Sequence, residues 1–582
     1  MSIISNRRQY RITRKRNPDL LQSGICCYVL DEYFESSKGE ISVPKLVDDL
    51  APQLRARVFR ELDAITKKFV ESHSARGLGS EIEFYSLISV SRLNWSGASN
   101  FNHLVKLLAV ELHSGAPEAW FEEWGYKNSI RHKDGKRILL RSRTGALGLK
   151  NAIESVVWLL WRAISHLALR EIGEFSRNSR LLIVSYPEDE IALSNGAWSR
   201  FWGDLPAETS TNELDVNWLL LPDHGYSVND LRKAMRRTPA SQEFNHFIHA
   251  DALAGLSVLA RIFGTYFKNL PVRLQTFRAV ERELKNELGF SALRSTLLAS
   301  WAGRPYLESL YYQALFNKLE LQNPARVLYL FENQTWEKNL NWISKHKVLE
   351  TIGVSHSTTR FWDLRLSLDS TLNPETFLPR ALVANSGASK LDLQMLTSAL
   401  SIPVETSKAL RYAYLSGRTK KETVREPRKI LVCFGYNKMV TARLLNEVLS
   451  LGDPSLTMRL RFHPGVSKPN RTFKIPPQGL ELSEANLESD LAWCDVVVTD
   501  SMSSVSFEAM HEGIPTLLFR DGTTPNMSPL FHKEAIPTFW DHDSLKEALK
   551  GGANFTLDES LRFFLQDNQN QWVSILKNGF PL

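Results

Sequence analysis

Polar side chains follow three strand-like runs toward the end of the chain, each at the point where a run ends. Residues 435–437 (Gly-Tyr-Asn) follow the first run, and His463 with Pro464 follows the second. The third run leads into residues 499–504 (Thr-Asp-Ser-Met-Ser-Ser) and then a predicted helix, Val505–His511. Ligands of open parallel sheets bind beyond the carboxyl ends of the strands, so all three sets are expected at one edge of a sheet.

The serine-rich segment has the groups that an anion needs. It brings three hydroxyls, those of Ser501, Ser503 and Ser504, to the predicted start of a helix. Backbone N–H groups and the positive end of the helix dipole add to them there. A helix cap requires only one such side chain and is the simpler alternative.

His463 strengthens the prediction of a phosphate site. Its imidazole can donate a hydrogen bond to a phosphate oxygen, and Pro464 stiffens the turn that aims it. Arg461, two residues earlier, adds a positive charge. A structural histidine is the alternative. Together with the serines, these residues predict that a nucleotide phosphate lies between His463-Pro464 and the serine-rich segment.

These motifs resemble those of bacterial glycosyltransferases that use CMP-activated Kdo and sialic acids. The basic-x-His-Pro motif of those families is matched by Arg461-Phe-His463-Pro464, and their later Ser-Ser/Thr motif by Ser503-Ser504. The resemblance implies that the histidine and the serines hold the phosphate of a cytidine nucleotide.

The segment Asp500-Ser-Met-Ser-Ser is also similar to the TDYSS form found in CDP-glycerol and CDP-ribitol polymer transferases. Both resemblances imply a cytidine nucleotide and leave the transferred group open. Retaining Kdo transferases place an Asp nucleophile early in the nucleotide-binding domain, but residues 435–437 contain no carboxylate. Three alternatives remain: a nucleophile elsewhere, a single inverting displacement, or lost activity. Glu508 is expected either to contact the ribose or to lie as a plain helix-face carboxylate.

A second resemblance comes from residues 330–337 and 355–363. They are similar to signatures of a group of bacterial proteins assigned to surface-carbohydrate biosynthesis, and this similarity runs from about residue 180 to residue 540. The function of that group is mostly inferred, so the resemblance implies a carbohydrate pathway rather than a reaction.

Glu332 and His356 each follow a strand-like run, which places them toward a cleft where an acceptor would lie. We predict Glu332 as the acid/base group for the acceptor hydroxyl, because a carboxylate there can accept its proton, and His356 as a second catalytic residue. The alternative for Glu332 is a helix cap or an ion pair with Arg360 or Arg365. Glu337, inside the following helix, is predicted to be structural.

The elements that position these residues alternate between short strands and helices from about residue 180, which predicts βαβ units. A polar, charged stretch, 416–427, separates two such series. The predicted fold is α/β and GT-B-like, with two Rossmann-like domains whose parallel sheets face each other across a cleft. The predicted parts are a mainly helical region 1–178, an acceptor domain 179–415, a nucleotide-binding domain 425–550 and a closing helix within 551–582.

The composition is that of a globular protein large enough for two or three domains. The chain has 582 residues, of which 43% are hydrophobic and 23% charged. Four cysteines are too few and too irregularly spaced for a disulfide scaffold or a zinc site, and Cys433 and Cys494 are predicted to be buried thiols. No signal peptide, charge-free membrane span or nucleic-acid surface is expected, so the predicted location is cytoplasmic.

Two features point to a membrane surface as an alternative to ordinary packing. A basic arm within residues 7–16 is expected to be a solvated tail or to contact anionic headgroups. Residues 156–169 form an apolar helix, expected to be buried or, if exposed, to place Trp158 and Trp161 at headgroup depth.

These observations predict a glycosyltransferase of bacterial surface polysaccharide biosynthesis, such as lipopolysaccharide or capsule. It would move a Kdo-like or sialic-acid-like sugar from a CMP donor to a glycan or lipid-linked oligosaccharide acceptor, with peripheral association with the inner membrane. No cofactor and no catalytic metal are expected, as the GT-B resemblance implies. The alternatives are a CDP-polyol phosphotransferase and a catalytically inactive GT-B-like scaffold that binds a nucleotide or a partner.

Overall fold

In the computed structural model, the residues described are 10–13, 26–29, 31–34, 40–74, 99–114, 130–133, 136–139, 144–222, 227–238, 243–284, 287–319, 324–345, 349–366, 375–396, 402–415, 427–463, 480–531, 536–550 and 571–580. Several of the sequence predictions lie outside these residues: most of the basic arm 7–16, Pro464, most of the linker 416–427, and residues 551–570 of the closing segment.

The N-terminal region is mainly helical, as predicted, and also contains two small sheets. Its described helices are Val43–Asp49, Ala51–Ser74, Ser99–Ser114 and Thr144–Leu169. Its strands are β1 (Tyr10–Thr13), β2 (Cys26–Val29) and β3 (Glu40–Ser42), which pair in parallel, and the antiparallel pair β4 (Ile130–Lys133) and β5 (Lys136–Leu139). The sequence did not indicate these strands because runs this short show no clear alternation.

A seven-stranded parallel sheet forms the first Rossmann-like domain. Its strands are β6 (Leu181–Ser185), β7 (Val216–Leu220), β8 (Asn245–His249), β9 (Arg326–Leu330), β10 (Glu350–Val354), β11 (Ala381–Ala384) and β12 (Val404–Thr406). Their spatial order is β12-β11-β10-β9-β6-β7-β8. This is the doubly wound order, in which the switch point lies between β6 and β9. β7 and β11 are buried throughout, as strands covered on both faces must be.

Helices pack on this sheet, and some of them also contact the N-terminal region. The helices and 3-10 turns of the domain are Asp189–Leu193, Leu205–Thr211, Val228–Arg237, Thr335–Lys345, Leu364–Leu366, Glu375–Phe377, Gly387–Leu396 and Leu410–Leu415. Four more helices lie between β8 and β9: Ala250–Ala254, Leu256–Leu284, Leu288–Ala302 and Arg304–Leu319. Phe69 of the N-terminal region packs on Phe277 and Trp301 of these helices, at centroid distances of 6.0 and 5.2 Å. The N-terminal helices therefore share one hydrophobic core with the first domain.

The helix Thr144–Leu169 is fixed to this core by a buried ion pair. Arg162 lies 3.0 Å from a carboxylate oxygen of Asp251, and both side chains are almost fully buried. Trp158 packs edge-on against Tyr311 and is only 7% exposed. The expectation that Trp158 reaches a headgroup region is therefore wrong, because this ring is part of the core.

The opposite face of the helix is an exposed apolar stripe. Six side chains on one face of the helix form this outer stripe, each three or four residues from another member: Ile153, Val157, Leu160, Trp161, Ile164 and Leu167. By length and composition alone, Lys150–Leu169 is a described stretch that could cross a membrane, and 33% of it is buried. The sequence analysis considered only stretches without charged residues and therefore did not predict this span.

A six-stranded parallel sheet forms the second Rossmann-like domain. Its strands are β13 (Lys429–Cys433), β14 (Thr457–Arg461), β15 (Leu480–Leu482), β16 (Val496–Asp500), β17 (Thr516–Phe519) and β18 (Thr538–Phe539). The spatial order is β15-β14-β13-β16-β17-β18, with the switch point between β13 and β16. Its helices are Lys438–Leu449, Leu487–Trp493, Val505–His511 and His542–Lys550. Cys433 and Cys494 are buried free thiols, as predicted.

The last described helix, Trp572–Asn578, returns to the first domain. Trp572 donates a hydrogen bond from its indole N–H to the carbonyl of Lys408, and Arg326 donates to the carbonyl of Leu576. With two doubly wound sheets and this closing helix, the chain has the predicted α/β, GT-B-like fold.

Candidate functional site

Asp500 joins the two strands that flank the switch point of the second sheet. Its buried carboxylate accepts hydrogen bonds from the backbone N–H groups of Gly435 (2.8 Å), Met502 (2.8 Å) and Ser503 (3.1 Å). Position 435 must be glycine for this contact, because a Cβ atom there would lie 2.4 Å from the Asp500 carboxylate. Asn437 ends the same turn as the cap of helix Lys438–Leu449. The protein's own groups therefore fix this edge of the sheet.

Asp500 should make the stability of the protein depend on pH. Burial raises the pKa of Asp500 from 3.8 to about 6, although N–H groups of Met502 and Gly435 oppose the rise. The folded state therefore holds this proton more tightly than the unfolded state, and stability falls as pH rises from about 4 to about 6, by about 3 kcal/mol in all. Thermal midpoints of wild type and Asp500→Asn are measured below and above pH 6. The midpoint of wild type should be higher relative to that of the variant below pH 6 than above it. A constant difference across that range would contradict this assignment.

The three serines are placed at the switch point, but they are not equally available. Ser501 is buried, and its hydroxyl accepts the backbone N–H of Met527 at 3.3 Å. The hydroxyl of Ser504 donates to Glu508 at 3.2 Å. Ser503 accepts the backbone N–H of Val505 at 3.3 Å, which leaves its own proton to donate to a ligand. The helix is only seven residues long, so its dipole adds little and Ser503 is the best-placed donor.

Glu508 faces the interdomain contact rather than open solvent. It is 5% exposed, and its second oxygen accepts a hydrogen bond from the hydroxyl of Tyr414 in the first domain. Burial, followed by the charge of Glu508, raises the pKa of Tyr414. Glu508 therefore connects the two domains, and a ribose contact would require it to share or exchange these partners.

Arg461 forms an ion pair that the sequence did not predict. Its guanidinium lies 2.9 Å from Asp490 and donates to the carbonyl of Ala485 at 2.7 Å. Arg459, two residues earlier on the same face of β14, binds the other oxygen of Asp490 at 3.2 Å. Because Asp490 is fully buried, the two arginines neutralise it, which gives Arg461 a structural role; its predicted phosphate contact stays a prediction.

His463 lies at the exposed end of β14, with its ring edge-on to Tyr436 at 5.8 Å. Burial, then the charges of Arg200 and Arg411, lower the pKa of His463. Both arginines belong to the first domain, so His463 faces across the cleft. A neutral imidazole there donates one hydrogen bond without adding charge.

On the other side of the cleft, Glu332 and His356 form a pair. Nε2 of His356 lies 3.3 Å from Oε1 of Glu332, and Arg365 lies 3.7 Å from Oε2. Burial raises the pKa of Glu332, but the hydrogen bond and charge of His356 and the charge of Arg365 outweigh it, so the pKa is well below its usual value. Nδ1 of His356 is buried and has no hydrogen-bond partner among the described residues. The carboxylate therefore stays ionised and orients the imidazole, while its basicity is reduced.

Glu337 fixes the turn that carries Glu332. Its carboxylate accepts the backbone N–H groups of Glu332 (3.1 Å), Asn333 (2.8 Å) and Gln334 (2.9 Å) at the start of helix Thr335–Lys345. Asn333 has a φ of +53°, a conformation that asparagine tolerates better than most residues. The predicted structural role of Glu337 is confirmed.

Two cleft arginines were missed by the sequence reasoning. Arg200 and Arg411 both lie against the ring of Phe201, with guanidinium carbons 5.0 and 5.7 Å from its centroid. Arg200 comes from an irregular turn and Arg411 from the 3-10 turn Leu410–Leu415, far apart in the chain, and neither is part of a motif. Arg360, predicted as a partner of Glu332, instead donates to the carbonyl of Met502 at 3.0 Å and connects the domains. Within the described ranges, no group of three or more His, Cys, Asp and Glu side chains is placed to hold a metal ion.

Comparison with known proteins finds no matching family model and no matching curated protein. Among solved structures, the UDP-GlcNAc 2-epimerase from Neisseria meningitidis bound to UDP-GlcNAc is 13% identical, covers 68% of this chain and 99% of its own, and has a TM-score of 0.37. The calicheamicin glycosyltransferase CalG4 is 10% identical, with coverages of 66% and 92% and a TM-score of 0.34. The spinosyn rhamnosyltransferase SpnG complexed with thymidine diphosphate is 12% identical, with coverages of 64% and 90% and a TM-score of 0.33. At these scores the likeness is distant, and what these neighbours bind or transfer says nothing about this chain.

Proposed function

We propose that the protein is a glycosyltransferase that uses a nucleotide-activated sugar, with a CMP-Kdo-like or CMP-sialic-acid-like donor. The main observation in support of this proposal is that the switch points of the two sheets lie on opposite sides of one cleft. His356 packs edge-on against Phe201 at 5.6 Å, and Arg200 and Arg411 lie on the same ring. The charges of both arginines act on His463 of the second domain, and Arg360 donates to the carbonyl of Met502, next to Ser503. Ligands of doubly wound sheets bind at such switch points. The cytidine base rests on the His-Pro and Ser-Ser motifs alone.

The residues divide into a donor side and an acceptor side. His463 and the hydroxyl of Ser503 would stabilise the charge that develops on the departing phosphate. Across the cleft, His356 would accept the proton of the acceptor hydroxyl, with Glu332 stabilising the imidazolium that forms. From the sequence, Glu332 was predicted to accept this proton. Here His356 has that role, because the lowered pKa of Glu332 makes it the weaker base.

A CDP-polyol phosphotransferase is the second candidate, favoured by the Asp500-Ser-Met-Ser-Ser sequence. Turnover measured with CMP-Kdo, CMP-sialic acid and CDP-glycerol against a lipid-linked oligosaccharide extract separates the two. Release of CMP from one of the CMP-sugars, dependent on the extract, is the expected result. Transfer from CDP-glycerol alone would support the second candidate, and no turnover of any donor would favour the inactive scaffold.

We also propose that the protein associates with an anionic membrane surface through the outer stripe. Helix Leu256–Leu284 packs on the same helix, since Tyr266 donates to Ser155, and exposes Phe263 and Phe267, whose rings lie 4.6 Å apart. Its exposed charged residues from 256 to 280, Arg261, Lys268 and Arg278, are all basic. An apolar face beside basic side chains is what an anionic bilayer binds.

Polar substitution of the outer stripe should abolish vesicle binding while leaving the fold intact. Leu160 and Ile164 are 58% and 53% exposed, so the double variant Leu160→Gln/Ile164→Gln removes apolar contact without disturbing the core. Co-sedimentation with vesicles containing phosphatidylglycerol is expected to fall at least about tenfold. The control Leu391→Gln alters a leucine that is 64% exposed on another helix and should bind as wild type. Equal binding by all three proteins would exclude this surface.

A further inference from the structure

Arg200 and Arg411 are held beside each other by direct backbone packing. Gly203 has a φ of +51°, and a Cβ atom there would lie 2.6 Å from the carbonyl oxygen of Leu410. The segment that carries Arg200 therefore contacts the segment that carries Arg411, with Phe201 against both guanidinium groups. Because this contact involves backbone, the two segments that carry the arginines are fixed relative to each other.

Among the described residues, neither guanidinium lies within ion-pair distance of a carboxylate, although the charges of Glu508 and Glu332 act on Arg411. Glu188 lies twelve residues before Arg200, and its oxygens accept the hydroxyl of Ser199 at 2.8 Å and the backbone N–H of Arg200 at 2.6 Å. Nε of Arg200 is buried and has no hydrogen-bond partner in the described chain. Two positive charges therefore lie on one aromatic ring, and one of them has a buried unsatisfied donor, which an anion bound beside them would satisfy.

We propose that Arg200 and Arg411 bind a second anionic group of the substrate, a carboxylate or a further phosphate, next to the phosphate that His463 holds. The site rests on the proposed function, because that function supplies the neighbouring phosphate. Guanidinium groups bind carboxylates and phosphates through paired N–H donors, which suits them to this ligand. A CMP-ulosonic acid carries a carboxylate on the carbon that bears its phosphate, and a CDP donor carries a second phosphate. CMP alone has neither.

Binding of three nucleotides tests the site. Calorimetry with CMP, CDP and CMP-N-acetylneuraminic acid compares wild type, the double variant Arg200→Gln/Arg411→Gln, and the control Arg237→Gln, an exposed arginine on helix Val228–Arg237. Wild type and the control should prefer one of the two larger ligands over CMP by about tenfold or more. The double variant should lose that preference and keep its affinity for CMP within about threefold. The ligand whose advantage disappears identifies the second anion as carboxylate or phosphate.

Two results would contradict the anion site. In one, the double variant keeps the preference for the larger ligand over CMP. In the other, its affinity for CMP falls as strongly as its affinity for the larger ligand. Thermal stabilisation by inorganic phosphate gives an answer that needs no nucleotide. Wild type should be stabilised more than the double variant, with Arg411→Lys between them because it keeps the charge and loses the paired donors. Equal stabilisation of all three excludes the site. If wild type binds phosphate through the arginines but no cytidine nucleotide, the proposed function fails and the anion site stands.

Discussion

Replacement of His356 by alanine, or of Glu332 by glutamine, is expected to lower donor turnover by about 10²- to 10⁴-fold, the range of general base catalysis. The two side chains lie 3.3 Å apart at the carboxyl ends of neighbouring strands. Glutamine keeps the shape of Glu332 and removes the charge that orients and stabilises the imidazole. Nucleotide affinity should change little, because neither residue lies on the donor side.

The measurement is kcat and KM for the active donor, with Glu405→Gln as the control. Glu405 is a glutamate on β12 of the same domain, 42% exposed and paired with Lys390, so its variant should have wild-type kinetics. A loss confined to KM would place the pair in binding rather than proton transfer. Wild-type turnover by both site variants would remove Glu332 and His356 from the mechanism.

Substitution of Asp251 by alanine is expected to destabilise the protein by about 3–5 kcal/mol, the loss typical of breaking a buried ion pair. Asp251 accepts from Arg162 at 3.0 Å and from the hydroxyl of Tyr311 at 2.8 Å, and it is 1% exposed. Burial raises the pKa of Asp251 and is opposed by Arg162. Removal of the carboxylate leaves Arg162 buried and uncompensated in the middle of helix Thr144–Leu169.

Urea unfolding of Asp251→Ala and of the exposed control Glu171→Ala measures this effect. Glu171 has a side-chain exposure of 82%, so its loss should change stability by no more than about 0.5 kcal/mol. The double variant Arg162→Met/Asp251→Leu replaces both charges by apolar groups and should recover most of the loss. If Asp251→Ala and Glu171→Ala unfold alike, the ion pair does not hold the helix in place.

The sequence predicted the local elements of the second domain well, because its signals are local. Helix Val505–His511 was placed with its observed bounds, since serines precede it and Gly513 follows it. The strand Thr516–Phe519 is a continuous apolar run, which is the local pattern of a buried strand. β8 and β12 give no such signal, because one is polar and the other has only three residues.

Part of the candidate site was predicted from the sequence. The rest depends on tertiary contacts between residues that are distant in the chain. Glu332 and His356 were both placed toward the cleft because each follows a strand of a parallel sheet, and their contact with each other was not predicted. The ion pair of Arg461 was not predicted because its partner, Asp490, is distant in sequence and is also shared with Arg459. The alternation of the two arginines on one face of β14 was the available signal. Arg200 had no comparable signal, since only packing against Leu410 brings it into the cleft.

Calorimetric binding of CDP, UDP and GDP to wild type and to His463→Ala tests the central claim, a cytidine nucleotide at the second switch point. CDP should bind at least about tenfold more tightly than UDP or GDP, and His463→Ala should weaken CDP by about tenfold through loss of a hydrogen bond to a charged phosphate. The control His542→Ala removes a 48% exposed histidine of the same domain and should bind as wild type. Equal or tighter binding of UDP or GDP, or unchanged CDP binding by His463→Ala, would contradict the claim.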